Sequence, residues 1–419
     1  MKCSLQVVLF LFCQLVWSQS KYASEFGYNE NDATLAFTKA LNSAYDTIII
    51  DKQNKDWILS PTVISNIHHK VIMLESGVVL RAKKNAFKRK GDVLLKFLNC
   101  SHLQLFGYGA SLVMNKEEYT DGEWRMTLSL INVNTISIKG LKFANSGGDG
   151  IYIDGWKKGD FSQNIIIEDI VSENHKRQGM SIISAQDVWV KNAIFKDTKG
   201  TLPEAGLDLE PDDPEDRMVN INFENCKFIN NNHSGIVLGL NKLNSSSIPV
   251  SITFKNCYLS MNHIPENAYV AAEIVSAAAP KDPVKGRVIF DGLLVDGSDW
   301  GILYSRKISK AYKVIFKNST AKNICKKQTM PPVYLEVPDY FASSGPLGGF
   351  EFDNLKVDYE GDLPFMKVRG SSLRTLKGVE SIEGTVFTKF SYQQNIEYVK
   401  YNPNQNRNVS ISFFLSKDN

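Results

Sequence analysis

Three stretches decide how this chain folds: VWVKNAIF at 188–195, INFENCKF at 221–228 and ITFKNCYL at 252–259. In each, apolar and polar residues alternate, the chain turns at Asn, and a second apolar pair follows. Alternation of period two broken by Asn, Asp or Gly is strand-and-turn chemistry. The pattern recurs as LQLFGYG, ISIKGLKF, IIIEDIV, VIFDGLLV, VIFKNSTA and FEFDNLKV. Its third residue is Leu105, Ile138, Ile167, Val190, Phe223, Phe254, Phe290, Phe316 and Phe352, at intervals of 33, 29, 23, 33, 31, 36, 26 and 36 residues. Repeats of this length and irregularity indicate a solenoid whose loops vary in size. No unit carries a helical period long enough for a leucine-rich or ankyrin repeat. The expected fold class is therefore all-β: a single-stranded, right-handed parallel β-helix in which like residues stack from coil to coil.

An open solenoid end exposes unpaired backbone groups and must be covered. NDATLAFTKALNSA at 31–44 suits that role, since Leu35, Phe37, Ala40, Leu41 and Ala44 fall largely on one helical face. Before it, MKCSLQVVLFLFCQLVWSQS places a Lys ahead of an apolar stretch from Leu5 to Trp17. That reads as a secretory signal, too short to span a membrane. No Cys follows the apolar run directly, which argues against a lipoprotein anchor. The expected organisation is a signal over 1–20, an N-terminal cap over 21–50, the β-helix over 51–386 and a C-terminal cap or tail over 387–419. The mature protein is expected to be exported, periplasmic or secreted.

The chain has 419 residues, a formal net charge of +3 and 22% charged residues. No large single-sign field follows, so neither nucleic acid nor membrane is an expected partner, and a monomer is expected. Cys3 and Cys13 lie in the signal; Cys100, Cys226, Cys257 and Cys325 remain, too widely spaced for a CxxC metal knuckle. FENC and FKNC put Cys226 and Cys257 in matching contexts, as stacked core thiols, with a disulfide the alternative in an oxidising compartment.

A second register places the chemistry. GDGIYIDG, RQGMSIIS, EAGLDLEP and HSGIVLGL align on Gly150, Gly179, Gly206 and Gly235, spaced 29, 27 and 29 residues apart. Strand alternation sends the residues one and three after each glycine inward: Ile151/Ile153, Met180/Ile182, Leu207/Leu209 and Ile236/Leu238. Tyr152/Asp154, Ser181/Ile183, Asp208/Glu210 and Val237/Gly239 then point outward, as do Arg177, Glu204 and His233 two residues before their glycines. Rungs ~4.8 Å apart gather Asp154, Arg177, Glu204, Asp208, Glu210 and His233 into one patch. Asp208 and Glu210 stand roughly 6.6 Å apart along one strand, close enough to raise one pKa unless a cation intervenes. Perturbed carboxylates beside His and Arg are what a site requires. The plain alternative is a solvated face crossed by surface ion pairs of little worth.

With its DATLAFTKAL cap and FxNC coils, the chain resembles the pectin-lyase-like β-helix proteins over nearly all of its length beyond the signal. That superfamily includes lyases, hydrolases, epimerases and phage depolymerases, so the resemblance implies fold and not reaction. RQGMSI followed by GTLPEAGLDLEPD resembles a recurrent bacterial and phage β-helix pattern, several of whose bearers belong to glycan-degrading systems. LDLEPD also resembles the catalytic strand of iota-carrageenases, which implies Glu210 and Asp212 as acid and base. Polygalacturonases need an Asp-Asp pair and a Gly-His-Gly. Here RQGMSI holds no Asp pair and HSG replaces the latter, so that assignment fails.

Two reactions fit these residues. In β-elimination at a uronic acid, Arg177 and Lys176 would neutralise the carboxylate, helped by a Ca²⁺ held by Asp208 and Glu210. His233 or His175 would serve as base and Tyr152 would protonate the leaving oxygen. The enzyme would be a lyase or dehydratase on an acidic, uronate-containing polysaccharide or oligosaccharide, ulvan among them. Gln178, Asp154, Trp156, Glu204 and Asp212 would line the substrate. In hydrolysis, Glu210 would be the acid and Asp208 or Asp212 the base, at about 6.5–9.5 Å for inversion or about 5–5.5 Å for retention. A third reading is a non-catalytic glycan-binding solenoid that stacks sugars on Trp124, Trp156 and Tyr152.

Overall fold

The period-two segments become short strands, each paired in parallel with its equivalent one coil later. The computed structural model describes residues 19–260, 262–263, 272–339, 345–359, 361–373, 375–389 and 395–416. Among them, one sheet of 12 strands and one of 22 run the length of the molecule, the second wrapping two sides of each coil. Every named strand pairing is parallel, and parallel crossovers take the right hand. The molecule is a right-handed parallel β-helix, as its repeats indicate.

Stacking is literal in the core. The rings of Phe223, Phe254, Phe290 and Phe316 lie nearly parallel, at 5.0, 4.8 and 5.0 Å between successive centroids. Cys226 and Cys257 follow one another on adjacent rungs, and all four cysteines are buried free thiols. The turn residues Asn192, Asn225 and Asn256 adopt left-handed backbone, which Asn tolerates better than most residues.

A helix over Thr34–Leu41 covers the N-terminal end. It buries Ala36, Phe37, Ala40 and Leu41, while Leu35 is 64% exposed and Ala44 faces solvent. The inward stripe is thus Ala36, Phe37, Ala40 and Leu41 rather than one that includes Leu35, because at about 100° per residue Leu35 falls well off the face shared by Phe37, Ala40 and Leu41. Residues 1–18 of the expected signal lie outside the described residues; the strand Ser20–Tyr22 already pairs with Thr47–Ile50. At the other end, coil geometry continues past 387, where the sequence pattern fades. Ile396–Val399 and Arg407–Leu415 each add a rung, and Val409, Ile411 and Phe413 pack on the core. Among the described residues no helix is long and apolar enough to cross a membrane.

Candidate functional site

The smaller sheet carries the four aligned segments as adjacent strands: Ile151–Asp154, Gln178–Ile182, Ala205–Leu209 and Ile236–Leu240. Tyr152, Ser181, Asp208 and Val237 face one another across successive rungs. Their neighbours Ile151, Met180, Leu207 and Ile236 are fully buried in the core, so this column points outward as alternation requires.

Alternation fails at the glycines. A Cβ on Gly179 would stand 2.5 Å from the Gly206 oxygen and 3.1 Å from Phe195, and one on Gly206 would stand 2.9 Å from Phe228. The glycine column therefore also points inward, beside the inward residue that follows it, and no side chain fits there. Two consecutive inward positions shift the phase, so the residue before the glycine, and not only the one before that, reaches the outer face.

This shift delivers a residue that period-two reading misses. Asp149 is wholly buried, with the Arg177 Nη1 3.6 Å from its Oδ2. Arg177 Nη2 also pairs with Glu210 Oε2 at 2.7 Å. Gln178, in the same position one rung on, donates from Nε2 to Asp208 Oδ2 at 2.8 Å and accepts the Ala205 N–H at 3.2 Å. Gln178 thus holds Asp208. Asp208 itself is 1% exposed, and its Oδ1 has no hydrogen-bond partner among the described residues. A Cβ on Gly239 would lie 3.6 Å from that oxygen. A larger residue at Gly239 would stand directly against that carboxyl.

Three carboxyls around one guanidinium make the electrostatics unequal. Burial raises the Asp149 carboxyl to about 7 although Arg177 opposes the shift. Burial and the Glu210 charge push Asp208 well above the usual carboxyl range. Burial works against the charge on Arg177, but Asp149, Asp208 and Glu210 outweigh it and keep the guanidinium charged. Glu210, 44% exposed in its side chain, meets solvent as the ion-paired carboxylate. Burial thus favours the protonated form of Asp208 beside the ion-paired, partly exposed Glu210, an arrangement suited to proton transfer.

Next to it, the Tyr152 hydroxyl donates to Asp154 Oδ2 at 3.1 Å. Burial lifts Asp154 to about 7, with Asp216 and Asp212 adding to the rise. Burial likewise raises the Tyr152 phenol. Asp212 sits on the turn after Glu210, where its own N–H and that of Asp213 donate to Asp216 Oδ2, both at 2.8 Å. Burial and then the Glu210 charge raise Asp212 as well.

The remaining expected residues lie elsewhere. His175 is fully buried on the inner side of the coil, where it receives the Ser146 N–H on Nδ1 at 3.3 Å and meets Ser172 Oγ with Nε2 at 2.9 Å. Burial, then Lys116, lowers it to about 3, so it is a neutral structural histidine with no path to substrate. Glu204 ties down its own loop, accepting the Gly200 N–H at 2.6 Å and Asn232 Nδ2 at 2.5 Å. His233 turns to Ser234 Oγ at 2.9 Å, and burial lowers its pKa. Lys176 donates to the Tyr119 carbonyl. Trp156 is 53% exposed on the turn beyond Asp154, and Trp124 is exposed beside Gly148. Among the described residues, no three Asp, Glu, His or Cys side chains group as a metal cage. The positive charge beside Asp208 and Glu210 is Arg177, which contacts Glu210 and Asp149 and acts on Asp208 through its charge. A concavity of about 610 Å³ lies on the other sheet near His69, His102 and Phe106, and no carboxylate lines it.

No protein-family profile matches this chain, and no curated protein does. Solved structures do. The surface protein and adhesin PfbA of Streptococcus pneumoniae superposes with a TM-score of 0.58 at 11% identity, over 94% of this chain and all of that one. A double mutant of the tailspike protein of E. coli bacteriophage HK620, in complex with a pentasaccharide, gives 0.60 at 10% identity, over 93% of this chain and 80% of the other. The catalytic unit of an α-1,3-glucanase from Streptomyces thermodiastaticus gives 0.50 at 14%, over 91% and 68%. At these identities the likeness is one of fold.

Proposed function

We propose that this protein is an exported enzyme that cleaves an acidic glycan by hydrolysis, with Asp208 as general acid and Glu210 as the ionised carboxylate. The observation that carries this reading is the Asp149–Arg177–Asp208–Glu210 cluster on an outward strand face, with Asp149 and Asp208 buried and Glu210 reaching solvent. The hydrolytic reading of the sequence makes Glu210 the acid and Asp208 or Asp212 the base, and the LDLEPD resemblance implies Glu210 and Asp212. The acid moves to Asp208 here because Asp208 is the buried carboxyl and Glu210 the ion-paired one. The fold shared with a glucanase and a saccharide-bound tailspike agrees with a carbohydrate ligand. In the reaction, Asp208 would protonate the glycosidic oxygen as the bond to the anomeric carbon breaks. Glu210 would direct water to that carbon, or attack it itself, in step with the charge developing there.

Elimination at a uronic acid is the second reading. Arg177 as the neutralising cation and the Tyr152–Asp154 pair as proton donor favour it. It loses ground because His175 is walled into the coil and His233 faces Ser234. The charge-neutralising role expected of Ca²⁺ falls to Arg177, so turnover is expected to survive a chelator.

Incubation with a panel of uronate-containing and sulfated polysaccharides separates the readings. Hydrolysis yields new reducing ends without near-ultraviolet absorbance; elimination adds an absorbing C=C bond conjugated to the carboxylate. Binding without either signal would leave an adhesive solenoid and overturn the enzymatic reading.

A further inference from the structure

The outward column that contains Asp208 continues along the same sheet through Val237, Val275, Tyr304, Tyr334 and Lys367. Tyr334 stands four rungs beyond Asp208, about 19 Å along the axis. Tyr304 and Tyr334 pack together at 5.9 Å between ring centroids, with Ala272, Val275 and Met330 around them. The Tyr304 hydroxyl donates to Glu336 Oε2 at 3.3 Å, and Arg369 Nη1 lies 3.6 Å from Glu336 Oε1. Tyr334 and Glu336 are almost wholly buried, so this platform is fixed in place.

Beside it opens a pocket of about 280 Å³ lined by Tyr334, Met330, Lys367, Arg369 and Lys400. Every charged side chain on its wall is a cation. The partner carboxylates, Glu336 and Glu397, stand behind Arg369 and Lys367 and are not part of the lining. A wall of several cations beside a fixed tyrosine pair suits a sugar that bears an anionic group, the sugar against Met330 and the part of Tyr334 that lines the pocket, the anion toward the lysines and arginine.

We infer that this pocket is a remote subsite for a carboxylate- or sulfate-bearing sugar of the glycan whose other end reaches the Asp208 cluster. The inference rests on the reading of this sheet face as glycan-binding, and it names the feature that selects acidic chains. A ligand too short to bridge about 19 Å occupies one site or the other but not both.

The test is a calorimetric titration of the full chain carrying Asp208→Asn, which prevents turnover, with Lys367→Ala and Arg369→Ala added separately. The probes are an oligogalacturonate, a sulfated galactan oligosaccharide and an unsulfated neutral galactan oligosaccharide of equal length. Each pocket substitution should weaken at least one acidic probe about tenfold or more and leave the neutral one unchanged, with the acidic affinity falling as salt rises. Which acidic probe responds identifies carboxylate or sulfate. Unchanged acidic binding, equal losses for the neutral probe, or no acidic binding by the parent would overturn the inference. Lys367 is partly exposed, so its variant remains informative if Arg369→Ala does not fold. Pocket variants that bind normally while Asp208→Asn alone abolishes turnover would sink only this subsite. Selective acidic binding by a protein without turnover would sink only the hydrolytic reading.

Discussion

At the scale of single residues, Arg177 is the hinge of the account. It sits among three carboxyls, of which Asp149 and Asp208 are buried. Removing it leaves buried acids without a counter-charge, a change that costs about 3–5 kcal/mol when such groups are ionised. Asp149 and Asp208 can escape by holding protons, so Arg177→Ala should destabilise the protein more at pH 8 than at pH 5 in parallel denaturant titrations. Asp149 has its own signature. The unfolded chain releases this proton near 3.8 and the native one near 7. Between those values the unfolded state binds fewer protons, so stability falls as pH rises through that window and levels off above it. Asp149→Asn should flatten that decline, by a few kcal/mol at most in order of magnitude. An unchanged pH dependence in the variant would mean that Asp149 is solvated.

Within a rung, the glycine column determines which residues reach the site. Gly206→Ala would press a methyl against Phe228, Asn231 and the Gly235 oxygen, each at 2.9 Å. Overpacking of this kind costs about 1–3 kcal/mol, and a lowered denaturation midpoint should report it. A Cβ on Gly239 meets only ordinary contacts, 3.5 Å from the Leu209 oxygen and 3.6 Å from Asp208 Oδ1, so Gly239→Leu should shift the melting transition little and block turnover by obstructing the approach to the Asp208–Glu210 pair. This element also explains what could be read in advance. Alternation along LDL placed Leu207 and Leu209 inside and Asp208 outside, and the rung spacing brought Arg177 to Glu210. The same rule could not find Asp149 or seat His175, because period two holds only within a strand. At Gly150 and Gly179 two successive positions face inward, and before them the chain is turning. The GGDG context of Asp149 was the available signal: an acid between glycines, where the backbone packs too closely for side chains on either side.

For the whole molecule, repetition in the sequence was enough to give the architecture, since Phe223, Phe254, Phe290 and Phe316 can stack only if each coil repeats the last. The ends were less legible. Leu35 reads as part of a face from which the helical turn angle separates it, and the rungs after 387 lack the apolar regularity of the middle because their faces are half exposed. A solenoid of this kind presents one continuous outward face, and function is read as positions along it: a carboxyl cluster at one place, a cationic tyrosine pocket four rungs away. The measurement that bears most directly on this picture is the rate of new reducing-end formation on an acidic glycan for the parent and for Asp208→Asn, each checked for an unaltered melting transition. Asp208 as general acid predicts a loss of about 10²–10⁴-fold in the variant. A folded variant that turns over at the parental rate would contradict the assignment of this face as the active site.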